Sequence, residues 1–397
     1  RSDVRLAALG ERARGFTAAH RRELLALIGE LLSGIIPRFK RLADAGRCEL
    51  SVTPYAHPIL PLLLDFRAAR ESVPDSPLPR HAGYPGGAER AAWHVAESIR
   101  VFERCFGRKP AGCWPAEGAV SGAALQLLDA SGFRWAASGG SVLRASLAAS
   151  SARADDPDSF DRPYRPAPGA MQCFFRDDRL SDLIGFTYAT WHGDDAARNL
   201  VHELEQIALG RDAARGGQHA VLIALDGENA WEHYPFNGYY FLDALYAGLA
   251  GHPALELTTL SACAARFAGG SHAPEPRPLV RVVAGSWVHG TLGTWMGDAA
   301  KNAAWDLLCD AKAAFDEVSA GGALDAERRE AVHRQLALCE SSDWFWWFGD
   351  YNPPEAVRQF DDLYRRQLRN LYRLLGRPAP DAISKPIAIG RGDMEHG

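Results

Sequence analysis

The 397-residue sequence has no large excess of charge of either sign: 44 Lys and Arg stand against 49 Asp and Glu, a formal net charge of -5. Phosphate polymers and anionic membranes are held by basic surfaces, so neither a nucleic acid nor a membrane is expected as a partner. Long apolar runs are also missing. None approaches the roughly 20 residues of a membrane span, and the start carries no signal-peptide pattern. Metal-ligand spacings are absent: there is no Cys-x-x-Cys and no His-x-x-x-His, and His57, His192, His233 and His289 stand alone near the acidic motifs. No metal and no other cofactor is therefore expected. Neither GxGxxG nor GxxxxGK[ST] occurs, which counts against a nucleotide-binding open sheet. A serine nucleophile lacks its G-x-S-x-G, and Cys113 has no activating partner beside it in sequence. The seven cysteines, Cys48, Cys105, Cys113, Cys173, Cys263, Cys309 and Cys339, are scattered and odd in number. They read as reduced thiols of a cytoplasmic protein rather than a disulfide framework.

What is present is ordinary in bulk and unusual in placement. Hydrophobic residues make up 47% and charged residues 23%, a composition that excludes a mainly disordered chain. The length suits one large domain, or an α/β barrel with a smaller unit appended. Aromatic residues gather beside carboxylates in Cys113-Trp114-Pro115-Ala116-Glu117, from Asp226 to Tyr234, and from Asp343 to Tyr351. Sugars offer flat C–H faces ringed by hydroxyls, so a sugar site needs aromatic platforms beside polar groups. A single tryptophan is more often core than site, but three aromatic-plus-acid clusters are harder to explain as packing alone.

The chain alternates short apolar runs with helical patterns. His219 to Leu225 (HAVLIAL) reads as a buried strand ending at Asp226. Similar runs are Cys48 to Val52, Ala111 to Trp114, Phe133 to Ala137, Leu255 to Leu257 and Leu279 to Val283. Ala92, Val95, Ile99, Phe102 and Phe106 mark one buried face of a helix that stops at Gly107. Repeated strand and helix units favour a parallel α/β barrel, with functional residues at the carboxyl ends of its strands. From about Asp298 helices follow without strands: Trp305, Leu308 and Phe315 share one face. A second helix opens at Asn352-Pro353-Pro354, with Asn352 as cap, and carries Val357, Phe360, Tyr364, Leu368, Leu371 and Leu375 up to Gly376. This predicts a helical bundle packed on the barrel, with Asp343 to Trp347 facing the barrel mouth. Arg144 to Pro168 reads as a loop and Arg377 to Gly397 as an irregular tail.

Cleaving a glycosidic bond with retention takes two carboxyl groups roughly 5–5.5 Å apart, which a barrel can bring together from distant strand ends. Glu117, between Trp114 and small neighbours, and Asp226, at the end of an apolar run, are the candidates. A solvated loop glutamate and a helix N-cap aspartate are the plainer alternatives, and charge at a buried strand end is costly unless used or paired. His57 and His289 can bind sugar hydroxyls or serve structure alone.

Four blocks then resemble a known family in its own order, over about Gly46 to Gly376. They are Glu49-Leu50-Ser51-Val52-Thr53-Pro54-Tyr55 with His57-Pro58-Ile59-Leu60-Pro61-Leu62; Trp114-Pro115-Ala116-Glu117; Leu225-Asp226-Gly227-Glu228-Asn229-Ala230-Trp231; and Asp343-Trp344-Phe345-Trp346-Trp347. This pattern is similar to glycoside hydrolase family 57, with its α-amylase-like, amylopullulanase-like, branching and glucanotransferase members. The resemblance implies an incomplete (β/α)7 barrel with a C-terminal helical bundle, divided here as residues 1–285 and 286–397. It implies a retaining double displacement on α-glucans without a metal, with Glu117 as nucleophile and Asp226 as acid/base. Further patterns similar to the amylopullulanase-like and amylase-like members place Arg176, Asp182 and Trp287 near the cleft. Glu49, His57, Trp114, Glu228, Trp231, His289, Asp343 and Trp344 complete the expected substrate contacts. The family's first region, a strand ending in His-x-Pro, has no counterpart before Glu49, so the expectation is either that this strand is missing or that the barrel is completed differently. Hydrolysis of α-1,4 and α-1,6 bonds is the leading expectation; a 4-α-glucanotransferase, a branching enzyme and a non-catalytic glycan-binding relative are the alternatives.

Overall fold

A computed structural model describes residues 3–150, 157–215, 219–227, 229–268, 275–322 and 324–390. Five strands form one sheet: β1 (Gly112–Cys113), β2 (Trp135–Ser138), β3 (Tyr164–Pro166), β4 (Gln172–Phe175) and β5 (Arg277–Leu279), in the order β1-β2-β4-β3-β5. Pairing is parallel except between β3 and β4. Two further segments extend the parallel run by single bridges, Val52 beside Cys113 and Leu222 beside Arg176. Segments around residues 52, 113, 136, 174 and 222 thus stand side by side in chain order. Their carboxyl ends all deliver loops to one rim, as an incomplete (β/α)7 barrel requires. All four residues of β2 are buried, the mark of a strand covered on both faces.

The strand expected over His219 to Leu225 is present only in part. Its residues are half-buried and bridge β4 at one point, because β3 runs antiparallel along the same edge of β4, through Tyr164 and Cys173. Cys48 to Val52 likewise contributes one bridge at Val52, the last expected strand ends at Leu279 rather than Val283, and Leu255 to Leu257 form no strand. Arg144 to Pro168 is not simply a loop. The helix Gly140–Ala149 runs through Arg144 and buries Val142, Leu143 and Leu147, and β3 follows.

The helix Gly87–Phe106 ends at left-handed Gly107 as expected. Its inward stripe is Ala91, Val95, Ser98 and Phe102; Ala92 is one position out of phase and exposed. Residues ahead of Glu49, where no motif is found, form helices Val4–Glu11 and Ala18–Asp44.

The C-terminal region is helical: Ala299–Ala320, Ala326–Cys339, Ser342–Trp347 and Pro354–Leu375. The last buries Val357, Tyr364, Leu368, Leu371 and Leu375 and stops at left-handed Gly376. Asn352 does not cap it. Pro353 occupies that position, and the Asn352 amide donates instead to the carbonyls of Trp346 and Trp347, both at 3.1 Å. Ile59, Leu62, Leu63 and Phe66 share one apolar core with Trp305, Leu308, Phe345 and Tyr364. We propose residue 285 as the divide between barrel and bundle in sequence, with 59–66 joining their cores. Among the described residues no helix is long and apolar enough to cross a membrane.

Candidate active site

After β1 the chain turns at Pro115 into a short turn, Ala116–Gly118, in which Glu117 takes a left-handed backbone, φ 55° and ψ 25°. A non-glycine residue pays on the order of 1–3 kcal/mol for such a conformation, and it persists where surrounding contacts fix it. Here three do. The Glu117 carbonyl accepts from Ser286 Oγ at 2.7 Å and Trp287 N at 3.3 Å, and the next carbonyl, Gly118 O, accepts from Ser138 Oγ at 2.6 Å. The side chain is held as well: Trp287 Nε1 donates to Glu117 Oε2 at 3.0 Å. Trp287 packs edge-on against Trp114, ring centroids 5.0 Å apart. Gly139 lets the Trp287 backbone approach so closely, since a Cβ there would lie 2.5 Å from Trp287 Cα.

The Trp287 ring also faces Arg176, whose guanidinium carbon lies 4.7 Å from the ring centroid. Arg176 sits at the end of β4 and donates to Asp178 Oδ1 at 2.9 Å, to Asp182 Oδ1 at 3.3 Å and to the carbonyl of Ala224 at 3.2 Å. Ala224 precedes Asp226 by two residues. A continuous path of contacts therefore runs from Glu117 through Trp287 and Arg176 to the segment that carries Asp226, which is exposed at the rim. Partial burial raises the Asp182 carboxyl above its usual range, with Arg176 opposing. Burial pushes the Cys113 thiol well up, which makes it a poor nucleophile.

His57 lies on another left-handed turn, with φ 57° at Ala56 and 58° at His57. Its Nδ1 is 2.8 Å from Ser342 Oγ, and its carbonyl accepts from Ser342 N at 3.0 Å. Ser342 follows a buried polar cluster that the sequence reading missed. The Glu340 carboxylate, fully enclosed, accepts from Tyr84 Oη at 2.6 Å, Arg90 Nη2 at 2.6 Å and Nε at 2.9 Å, and His94 Nε2 at 2.7 Å. The other His94 nitrogen lies 2.5 Å from the Tyr55 carbonyl. Both neighbours of that ring are acceptors, so it donates from both nitrogens. Burial alone would raise the Glu340 carboxyl; Arg90 and His94 outweigh it and hold it down to about 2. The turn 55–57 is thus gripped on one side through His94 and on the other through Ser342.

Not every expected contact reaches the rim. Glu49 stands three residues before Val52, at the amino end of its segment, and accepts from Trp135 Nε1 at 3.1 Å and Ser261 N at 2.9 Å. It tethers the helix Leu260–Arg266 and is remote from the strand ends. Trp344 belongs to the bundle: its indole donates to Leu338 O at 2.7 Å and packs on Tyr364 and Phe360. Trp347 stacks on Phe360 at 4.8 Å and Phe345 on Trp305 at 4.2 Å, so both rings pack within the bundle, Phe345 buried and Trp347 half-buried. Asp343 is exposed, in the first turn of Ser342–Trp347, and accepts from Ser341 Oγ at 3.0 Å. Trp231 is half-buried against Tyr234 and Phe241. His289 is exposed, with φ 55°. Glu228 lies outside the described residues. Among the described residues no group of three or more His, Cys, Asp or Glu is gathered so as to hold a metal ion.

Glu117 and Asp226 both stand on loops after strand segments, at the rim where (β/α) barrels carry their functional residues. The chain belongs to glycosyl hydrolase family 57, whose sequence profile matches residues 23–273. Solved structures agree in fold. A GH57 branching enzyme from the hyperthermophilic archaeon Thermococcus kodakaraensis superposes with a TM-score of 0.71 at 16% identity, covering 93% of this chain and 75% of that one. The α-amylase AmyC from Thermotoga maritima gives 0.65 at 14% identity, covering 96% and 80%. The 4-α-glucanotransferase from Thermococcus litoralis gives 0.58 at 15% identity, covering 88% and 52%. No curated protein matches the sequence.

Proposed function

We propose that this glycoside hydrolase-type enzyme cleaves α-glucosidic bonds of α-glucans with retention, Glu117 acting as nucleophile and Asp226 as general acid and base. The observation that carries the reading is the Trp287 indole 3.0 Å from Glu117 Oε2, backed by Arg176, which ties the same ring to the segment bearing Asp226. In the first step a Glu117 oxygen bonds to the anomeric carbon, the glycosidic C–O bond breaks, and Asp226 gives its proton to the leaving oxygen. In the second, Asp226 takes a proton from water, whose oxygen displaces Glu117 and restores the starting configuration. Trp287 fixes which way the Glu117 carboxylate faces. Trp114 and Trp231 supply apolar faces, and His57, His289 and Asp182 supply hydroxyl partners.

Replacing Glu117 with Gln and following reducing-end release from soluble starch tests the assignment; activity equal to the parent would sink it. Transfer to a second glucan in place of water is the runner-up, favoured by the branching enzyme and glucanotransferase among the structural neighbours. Product analysis on a short maltooligosaccharide separates them, since longer or branched products require transfer. Seven free thiols, five of them buried, support a reducing, cytoplasmic setting.

A further inference from the structure

Just past Asp226 the surface changes character. Among the described residues from Asp226 to Leu249, every large apolar side chain left open to solvent is aromatic: Phe236, Tyr239, Tyr240 and Tyr246. The exposed large apolar side chains of the helix Ala18–Asp44 are by contrast aliphatic apart from Phe39, with Leu25, Leu31, Leu32 and Ile35 among them. An aliphatic face is the kind that protein buries. Tyrosine combines a flat apolar body with a hydroxyl that stays hydrogen-bonded, which matches a sugar's C–H face and its ring of hydroxyls.

Three of these rings are organised. Phe236 and Tyr240 meet edge-on at 5.4 Å, as do Tyr239 and Tyr240, and the three are 74%, 57% and 62% exposed for Phe236, Tyr240 and Tyr239. Their backbone is set with some force. Phe236, Asn237 and Gly238 are consecutive left-handed residues, with φ of 53°, 54° and 76°. Gly238 permits this by lying against Trp231, where a Cβ would come within 2.6 Å of the indole, and Tyr234 Oη ties the turn to the Ile184 carbonyl at 2.6 Å. Trp231 follows Asp226 by five residues, so the turn that buries this indole is the one that presents Phe236 outward. Strain of this kind, at a solvent-facing aromatic, marks a ligand-contacting turn more readily than a packing need.

We propose that Phe236, Tyr239 and Tyr240 form a stacking platform for the outer residues of an α-glucan chain, beyond the groups around the scissile bond. This rests on the function proposed above and adds a polymer-binding surface to it. The test is electrophoretic retardation in native gels containing dissolved amylose, with every variant built on Glu117→Gln so that the polymer is not digested. The Phe236→Ala/Tyr239→Ala/Tyr240→Ala variant is expected to bind amylose roughly tenfold more weakly, whereas Tyr239→Phe/Tyr240→Phe, which keeps the rings, stays retarded. Equal retardation of the triple variant, at an unchanged unfolding temperature, would overturn the platform. So would a change in sedimentation coefficient without a change in retardation, which would make this a self-association face. If the parent cleaves maltotetraose but is not retarded, the platform alone fails; if it neither cleaves nor binds any α-glucan, the proposed function fails with it.

Discussion

Replacing Glu340 with Gln removes one charge from a fully enclosed polar cluster and leaves its volume nearly unchanged. Glu340 accepts from Arg90, His94 and Tyr84, and both Arg90 and Glu340 are almost completely withdrawn from water. Removing one partner of a buried ion pair costs about 3–5 kcal/mol, because the surviving cations are left uncompensated. With roughly 2.1 cal/mol/K of unfolding entropy per residue over 397 residues, that loss lowers the midpoint by about 4–6 °C. The pH dependence has a definite sign. A carboxyl held at about 2 in the fold, against an ordinary 4.5, contributes stability that is complete above about pH 4.5 and is lost as pH falls towards 2. The difference corresponds to about 3 kcal/mol. Thermal unfolding of parent and Glu340→Gln is followed from pH 7 to pH 2.5. The curves are expected to lie several degrees apart at neutral pH and to converge in acid. Midpoints within 1 °C of each other across the range would refute the claim that the buried Glu340 charge stabilises the fold.

Trp287→Phe keeps the ring beneath Arg176 but deletes the donor to Glu117 Oε2. A hydrogen bond to a charged group is worth about 1.5–3 kcal/mol, so kcat on starch should fall roughly 10- to 150-fold, with a drop of no more than about 2–4 °C in the unfolding midpoint. Arg176→Lys replaces a planar fork by a point charge and cannot keep Asp178, Asp182, Ala224 O and the Trp287 face together; kcat/KM is expected to drop by a similar factor, and an unchanged value would show that the fork is dispensable. Lys301 is buried against the Thr294 carbonyl and the Tyr351 hydroxyl, and burial lowers its ammonium to about 7, with Asp298 opposing. Its folded form gives up the proton before the unfolded chain does, so its contribution to stability rises between about pH 7 and 10.5; Lys301→Met should flatten that rise in a denaturant titration series.

Where neighbouring residues decide structure, the sequence is a good guide. The runs 111–114 and 133–137 are short and largely apolar and stop at Pro115 and Ser138, so β1 and β2 are readable, as are the stripes of Gly87–Phe106 and Pro354–Leu375. What escapes is decided at long range. His219 to Leu225 has the composition of a buried strand, yet competition with β3 for one edge of β4 confines it to a single bridge. Asp343 to Trp347 looks like a binding surface because aromatic rings serve cores and sugar sites equally. Only the partners, Phe360, Tyr364 and Trp305, show that Trp344, Trp347 and Phe345 are packing. Glu340 gives no local signal at all, since its partner His94 lies 246 residues away.

The two polar assemblies divide one task. On the proposed function, Glu117 and Asp226 keep a useful spacing only if the loops that bear them are fixed to each other, and the sheet alone does not do this, since the Asp226 segment meets it at one bridge. Arg176 supplies the missing tie at the rim, reaching Ala224 on one side and the Trp287 ring on the other. Glu340 does the equivalent for the turn at His57, where two left-handed residues would relax without the grip of His94 and Ser342. In both places a planar, charged group, the Arg176 guanidinium among acceptors and a ring and the Glu340 carboxylate among donors, replaces the β-ladder that an incomplete barrel lacks. The precision of this site therefore depends more on a few directional contacts than on the sheet beneath it.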